Sequence, residues 1–221
     1  LQSVWVTEDG TPEIWNMFME VNQRIRENRG WEFEIPGYPY TPVSEGRILS
    51  YGDYDLETVG LKGHTYGQMG LYDRNHKILF CADQVIDGIV PIVGTTYPDE
   101  HLLKGYFDSL EKLKHQYGDC LILPAHKEPI RDVKRVVDRI VFAYLDKTDL
   151  IKHILDHGHH RMTTKEVACL AYGIDHVPRD QSEFIKLKMV ISKTFSCLEY
   201  LYDEDFAIRT LENGTYYWEA P

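Results

Sequence analysis

The sequence predicts a mixed α/β protein in two parts: a layered domain of strands and helices, followed by a smaller unit. Three observations predict this class. Short apolar runs separated by turn residues fill the middle of the 221-residue chain. Two long amphipathic helical patterns follow, one before and one after the last of these runs. Beyond Gly158 the predicted order of elements becomes helix, helix, hairpin. The composition, 43% hydrophobic and 27% charged, is typical of a globular protein with a core. We expect the two parts to be residues 1–145 and 146–221.

The first half of the chain predicts a strand, a helix and then a run of strands. Residues 4–9 (VWVTED) alternate like a strand, and Thr11 and Pro12 then begin a helix with one apolar face. Residues 31–43 combine aromatic residues with three prolines, which favours a loop with extended pieces. Four further strands are predicted, with Asp73–His76 as the hairpin turn between the last two: residues 47–52, 54–61, 68–73 and 77–83.

The next elements alternate between helix and strand. Residues 99–118 carry apolar side chains at helical spacing, with Asp99 as the expected N-cap and Gly118 as the stop. Residues 119–126 (DCLILPAH) predict a short apolar strand that leads into His126. A long helix is then predicted from about residue 131 to about residue 157. Six of its residues are expected to face inward: Val133, Val137, Ile140, Tyr144, Ile151 and Ile154.

The last part predicts two helices and a β-hairpin. Residues 162–173 form a short helical pattern capped by Thr163 or Thr164, with Glu166 in the capping-box position relative to Thr163. Residues 181–205 form a second helical pattern, and Asn213-Gly214 is a strong signal for a tight hairpin turn. This order is the outline of a small winged-helix domain.

The composition also bears on location and partners. The net charge of −11 argues against broad binding to nucleic acid or to anionic membranes, and no apolar run is long enough to span a bilayer. The first ten residues do not look like a signal peptide, and the missing initiator Met raises the expectation of a fragment or a processed chain. Four cysteines without a CxxC pair lie in apolar surroundings, which favours free buried thiols in the reducing cytoplasm.

Three polar residues near the ends of predicted strands are the candidates for chemistry. His64 alone is weak, because a lone histidine between small residues is more often a hydrogen-bonded structural group than a ligand. Asp83 follows the apolar run ILFCA, where a carboxylate is costly unless it is paired or bound to a metal. His126 follows CLILPA in the same way. Because strand ends of a layered scaffold can converge on one edge, we expect these three side chains to form a metal site.

The motifs GHTYGQMGLY, LFCADQ and LILPAHKEPI, in this order and spacing, resemble the late motifs of the metallo-β-lactamase superfamily. The resemblance implies an αββα sandwich that binds one or two metals, usually zinc, with manganese or iron also suited to such ligands. It implies that His64 binds the first metal, that Asp83 bridges both, and that His126 binds the second. Ala82 stands where glycine is usual, and AHK stands where GHG is common. The tail is similar to that of members with a winged-helix C-terminus, a group similar to the human β-lactamase-like protein 2.

One superfamily motif is missing from these residues. His-x-His-x-Asp-His supplies two ligands to each metal in the superfamily, but no histidine precedes His64. Residues 4–9 resemble the strand that follows this motif, so we expect the chain to begin just past it and to hold three ligands split between two metal positions. The histidines of residues 153–160 are not counted as replacements, because histidines are favoured at a solvated helix C-terminus.

The leading hypothesis is therefore a metal-dependent hydrolase. The isolated chain, as a fragment that lacks half of the metal ligands, would be inactive. In the complete protein a metal-bound hydroxide would cleave an ester, thioester, lactone or phosphodiester, with Asp83 as the catalytic bridging residue. We expect a small-molecule substrate or RNA, no membrane, and either a homodimer or pairing with a missing N-terminal half.

Two alternatives remain open. One is a nucleic-acid-binding winged-helix regulator on a non-catalytic scaffold, to which Lys186, Lys188 and Lys193 on the last long helix would contribute. The charge opposes it, since eight Lys and Arg stand against eleven Asp and Glu from Ile151 onward. A packing or dimerisation role for the tail is favoured instead. The other alternative is one subunit of a split enzyme.

Overall fold

The computed structural model describes residues 41–95 and 97–221. The predicted strand at residues 4–9, the helix after it and most of the predicted loop at residues 31–43 lie outside the described residues.

The middle of the chain folds into one five-stranded sheet in which the strands lie side by side in chain order. The pairs β1–β2, β2–β3 and β3–β4 are antiparallel, and β5 runs parallel to β4. The hairpin turn predicted after β3 is confirmed: the Asp73 carboxylate accepts hydrogen bonds from the backbone N–H groups of Asn75 and His76. The strands are β1 Ile48–Tyr51, β2 Tyr54–Gly60, β3 Met69–Asp73, β4 Ile78–Ala82 and β5 Leu121–Pro124.

Two amphipathic helices cover one face of this sheet. Helix α1, Leu102–Gln116, connects β4 to β5, and helix α2, Val133–Asp156, follows β5. The apolar residues predicted to face inward on both helices are buried or half-buried, and they share one core with the strand residues Val59, Leu79 and Ile122. Phe80, which points to the other face of the sheet, is 45% exposed. None of the described helices is long and apolar enough to cross a membrane.

The predicted N-cap of α1 is wrong. His101 occupies the cap position and makes no capping hydrogen bond with its side chain. Asp99 instead makes contacts across the molecule: its carboxylate accepts from Arg209 Nη2 at 2.7 Å, and its backbone N–H donates to Glu199 at 2.5 Å. A tertiary partner has therefore replaced the local cap that the sequence favoured. Helix α1 ends two residues before Gly118, where a Cβ would approach the Lys114 carbonyl oxygen to 2.5 Å.

The tail has the predicted order of two helices and a hairpin. Helix α3, Thr164–Tyr172, begins with the predicted capping box between Thr163 and Glu166. Helix α4, Gln181–Asp203, follows, and Asn213 and Gly214 take the positive φ angles of a tight hairpin turn. A three-stranded sheet completes this part in the order β6-β8-β7, with β6 Met162–Thr163, β7 Ile208–Glu212 and β8 Thr215–Glu219. The winged-helix assignment and the boundary after residue 145, which α2 runs across, stay predictions.

All four cysteines are free of disulfides, as predicted. Cys81 and Cys197 are the most enclosed, and burial raises the pKa of each thiol to about 11. A thiol with such a pKa carries little reactive thiolate at neutral pH, so these two side chains behave as small apolar groups of the core.

Candidate metal centre

The structure brings the three predicted site residues together. His64 lies in the loop between β2 and β3, Asp83 directly follows β4, and His126 lies two residues past β5. His64 Nε2 is 3.7 Å from Asp83 Oδ2, and His126 Nε2 is 3.6 Å from Asp83 Oδ1. The convergence follows from topology, because β4 and β5 are parallel neighbours whose C-terminal ends meet at one edge of the sheet.

One backbone contact sets the orientation of the His64 ring. Its Nδ1 lies 2.8 Å from the carbonyl oxygen of Ile92, in the loop between β4 and α1. A carbonyl oxygen can only accept a hydrogen bond, so Nδ1 must carry the proton. In the neutral ring Nε2 is then the unprotonated nitrogen, and it faces Asp83. This is the tautomer that a metal-binding histidine needs at Nε2.

The backbone immediately before Asp83 departs from regular strand geometry. Ala82 takes a left-handed conformation, with φ 50°, where the pairing of β4 with β5 shifts register. The Ala82 carbonyl oxygen accepts a hydrogen bond from Ala125 N–H at 3.0 Å, which ties the ends of the two strands together. Glycine adopts this conformation without the steric cost of a Cβ, which is the physical reason why glycine is usual here in the superfamily that the motifs resemble.

The Asp83 carboxylate is suited to a cation. Its Oδ1 is buried and has no hydrogen-bond partner among the described residues. A buried carboxylate oxygen without a partner is costly, and a metal ion would remove that cost. The donor set of two imidazoles and a carboxylate is one that zinc binds. The three residues therefore fit a metal.

The three side chains do not enclose a single ion. Within residues 41–95 and 97–221 there is no group of three or more histidine, cysteine, aspartate or glutamate side chains arranged to hold one metal. Each Asp83 oxygen faces a different histidine, and the His126 side chain is 68% exposed. The expectation that the ligands divide between two metal positions joined by Asp83 stays a prediction.

The structure also shows a polar connection that sequence reasoning missed. Gln84 is fully buried, and its side-chain oxygen accepts a hydrogen bond from Gln68 Nε2 at 3.2 Å. Gln68 Nε2 also lies 3.1 Å from the Cys81 carbonyl oxygen, and Gln84 Nε2 lies 3.4 Å from that of Lys62. The two glutamines thus join the loop of His64 to the end of β4. Both glutamines lie within motifs that resemble those of the superfamily, but no periodicity or spacing in the sequence indicated that they contact each other.

The histidines near the end of α2 lie apart from this centre. The rings of His153 and His157 are in contact, tilted by 41° with their centroids 4.0 Å apart, and His157 Nδ1 lies 3.0 Å from the His153 carbonyl oxygen. Both rings are exposed, as are His159 and His160. The interpretation of this cluster as a solvated helix end agrees with these positions.

Solved structures with the same arrangement of elements decide the fold. A metallo-beta-lactamase family protein of Thermus thermophilus superposes with a TM-score of 0.69 at 19% identity, over 99% of this chain and 68% of its own. A beta-lactamase domain protein of Burkholderia ambifaria superposes with a TM-score of 0.73 at 16% identity, over 90% of this chain and 58% of its own. The chain has the metallo-β-lactamase fold. The fold predicted from the three motifs is thereby confirmed.

Curated relatives match a shorter stretch of this metallo-β-lactamase-fold chain. The acyl-coenzyme A thioesterase MBLAC2 of Gallus gallus is 43% identical over 53 residues, and that of Homo sapiens is 33% identical over 63 residues. The matched stretches span 19% and 23% of those proteins and about a quarter of this chain. No family model matches the sequence.

Proposed function

We propose that the protein containing this chain is a metal-dependent hydrolase and that His64, Asp83 and His126 are metal ligands. Zinc suits two imidazoles and a carboxylate best, and manganese or iron would also bind them. The observation that carries the proposal is the position of Asp83: its two oxygens face different histidines, and the buried one has no hydrogen-bond partner among the described residues.

The proposed ligands would have different roles. Asp83 presents one oxygen toward each histidine, so one carboxylate can serve two metal positions. His64 offers Nε2 because its Nδ1 proton is held by the Ile92 carbonyl. Bound metal would supply Lewis-acid activation of water and of the substrate carbonyl or phosphoryl group.

For the substrate we propose an acyl thioester. The support is the name of the curated relatives, which are acyl-coenzyme A thioesterases at 43% and 33% identity over the matched stretches. A fold shared with many hydrolases does not select a substrate by itself. A hydrolysis assay of the zinc-loaded protein should therefore compare thioesters with other esters, lactones and phosphodiesters.

The test measures the zinc bound by the purified protein and by alanine variants of each proposed ligand. His64→Ala, Asp83→Ala and His126→Ala should each weaken zinc binding by at least about tenfold, because each removes a donor atom. His115→Ala is the matched control: this histidine is exposed on α1 and forms an ion pair only with Glu111 among the described residues, at 3.8 Å.

Zinc affinity unchanged by Asp83→Ala, with the variant still folded by circular dichroism, would contradict the proposal. A loss of the same size in His115→Ala would also count against it, because that variant leaves the proposed site intact.

The lysines that could support a nucleic-acid regulator are not all available to a partner. Lys193 Nζ lies over the Tyr144 ring, 4.7 Å from its centroid. Burial lowers the pKa of Lys188 and of Lys193. These positions favour a packing role for this face of α4, and we therefore propose the hydrolase.

A further inference from the structure

The segment whose backbone contacts the His64 ring has no secondary structure of its own. Residues 90–95 form neither helix nor strand, yet Pro91, Val93 and Thr95 in this segment are buried. The Ile92 carbonyl within it is the one hydrogen-bond partner of His64 Nδ1 in the described part of the chain. The position of that carbonyl, and with it the tilt of the imidazole ring, must be fixed by contacts from elsewhere.

Tyr144 on α2 holds the segment on both sides of this carbonyl. Its hydroxyl donates to the Pro91 carbonyl oxygen at 2.7 Å and accepts from Val93 N–H at 2.8 Å. The side chain is fully buried, and burial raises its pKa well above the usual value, so the hydroxyl keeps its proton. One side chain thus fixes the peptide groups immediately before and after Ile92.

Ser196 on α4 holds the next part of the segment. Its hydroxyl donates to the Val93 carbonyl oxygen at 3.0 Å, accepts from Thr95 N–H at 2.9 Å, and lies 2.7 Å from Thr95 Oγ1. The segment lies close against α4 here, because a Cβ on Gly94 would approach the Cβ of Ser192 to 3.2 Å. A helix of the tail therefore contacts the segment that orients a proposed metal ligand.

We propose that Tyr144 and Ser196 are positioning residues for His64: they fix residues 91–95 so that the Ile92 carbonyl selects the Nδ1–H tautomer and points Nε2 at Asp83. This inference rests on the proposed function for its consequence, which is metal affinity, but not for its geometry. It makes the tail a part of the metal centre rather than an appended module.

The test uses two conservative variants and a control for each. Tyr144→Phe and Ser196→Ala each remove only a hydroxyl. Tyr172→Phe is the control for the first, since the Tyr172 hydroxyl is buried without a hydrogen-bond partner in the described part of the chain. Thr164→Val is the control for the second, because it removes the acceptor of a buried hydrogen bond from Trp218 Nε1, at 2.8 Å, within the tail.

The first readout is the ¹⁵N NMR spectrum of the histidine rings in the metal-free protein, with the His64 signals assigned by their loss in His64→Ala. The parent and both controls should show His64 as the Nδ1–H tautomer. Tyr144→Phe and Ser196→Ala should convert part of it to the Nε2–H tautomer. The second readout is zinc affinity by competition with a chelator, which we expect to fall about 10–100-fold in these two variants and to stay unchanged in the controls.

An unchanged tautomer and zinc affinity in both variants would overturn the inference. Equal losses in Thr164→Val would overturn it as well, because general loosening of the tail would then explain the effect. A parent protein that binds no zinc would refute the proposed function alone, and the tautomer measurement would still decide whether Tyr144 and Ser196 position His64.

Discussion

Glu199 on α4 is a carboxylic acid whose pKa depends on folding. Its side chain is 2% exposed, and burial raises its pKa from 4.5 to about 7. Four contacts oppose the shift without cancelling it: a hydrogen bond from Asp99 N–H, the charge of His101, the charge of Arg209, whose Nη1 lies 4.0 Å from Glu199 Oε1, and a hydrogen bond from the Thr95 hydroxyl at 3.3 Å. His101 is itself paired with Asp203 at 2.7 Å. The folded protein therefore holds a proton here that the unfolded chain releases above pH 4.5.

Replacing Glu199 with glutamine should flatten the pH dependence of stability. Because the folded pKa is raised, the contribution of Glu199 is most favourable below pH 4.5 and is lost as the pH rises toward about 7. Within that window the free energy of unfolding of the parent should fall, relative to Glu199→Gln, by up to roughly 1.4 kcal/mol per pH unit. Urea unfolding at several pH values measures the difference, and parallel curves for the two proteins would refute the assignment.

Single residues also show what the sequence could reveal about the site. His64, Asp83 and His126 could be named as candidates because each follows an apolar run or a small-residue turn, and the chemistry of each side chain follows from its residue type. The structure shows that the three side chains lie close together. The Ile92 carbonyl could not, because any residue supplies a carbonyl and only the folded loop brings this one to His64. Tyr144 was predicted to be buried, but no pattern pointed to its hydroxyl.

The loop between β2 and β3 shows how an element can depend on one glycine. Gly63, just before His64, has φ 153°, and a Cβ built on it would lie 2.3 Å from Tyr106 Cδ2 and 2.8 Å from Tyr106 Cα. Tyr106 cannot move easily, since it is fully buried on α1 and its hydroxyl donates to the Gln84 carbonyl oxygen at 2.8 Å. The close approach of the loop to α1 therefore requires glycine.

Gly63→Ala should destabilise the protein by about 1–3 kcal/mol or more, because the added methyl overlaps a buried neighbour. Gly67→Ala is the matched control on the other side of His64, where a Cβ would meet no atom within 4 Å. Chemical denaturation of both variants measures the difference. Equal stability of Gly63→Ala and Gly67→Ala would show that the loop can shift away from α1 without cost.

At the level of elements, the sequence patterns correctly predicted strands and caps that depend on residues close together in the chain. The four strands of residues 48–82 were predicted within one or two residues, because alternation and turn residues mark them. The capping box at Thr163 was predicted from the three-residue spacing between Thr163 and Glu166. Asp99 failed as a cap because Arg209 and Glu199, more than 90 positions away in the chain, contact it instead.

The two predicted parts of the molecule share one hydrophobic core. The same cluster of buried side chains includes Leu79 in the sheet, Tyr144 and Ile151 on α2, and Leu198 and Trp218 in the tail. Helix α2 runs through the predicted boundary without a break. Periodicity showed which faces of these elements are apolar, but the pairing of those faces across the molecule is a tertiary property that the sequence pattern does not contain.

Phe195→Ala should therefore destabilise both parts together. The Phe195 ring is fully buried on α4 and packs edge-on against Tyr216 and Trp218, with centroids 5.5 and 5.4 Å away. We expect a loss of about 3–5 kcal/mol. Phe142→Ala on α2 is the control, since that ring is 71% exposed and its removal should change stability by less than about 0.5 kcal/mol.

Hydrogen exchange measures the effect of Phe195→Ala on each part. Faster exchange in β3 and β4 as well as in α4 is the expected result, because the two parts share a core. Faster exchange confined to the tail would show that the parts unfold independently.

The hydrogen bond between the Val93 carbonyl and Ser196 joins residues 103 positions apart. At a synthesis rate of 5–20 residues per second, the segment that orients His64 leaves the ribosome roughly 5–20 seconds before the helix that holds it in place. If Ser196 has the proposed positioning role, a nascent chain would carry all three proposed ligands well before it could present them correctly, and metal loading would follow the synthesis of α4.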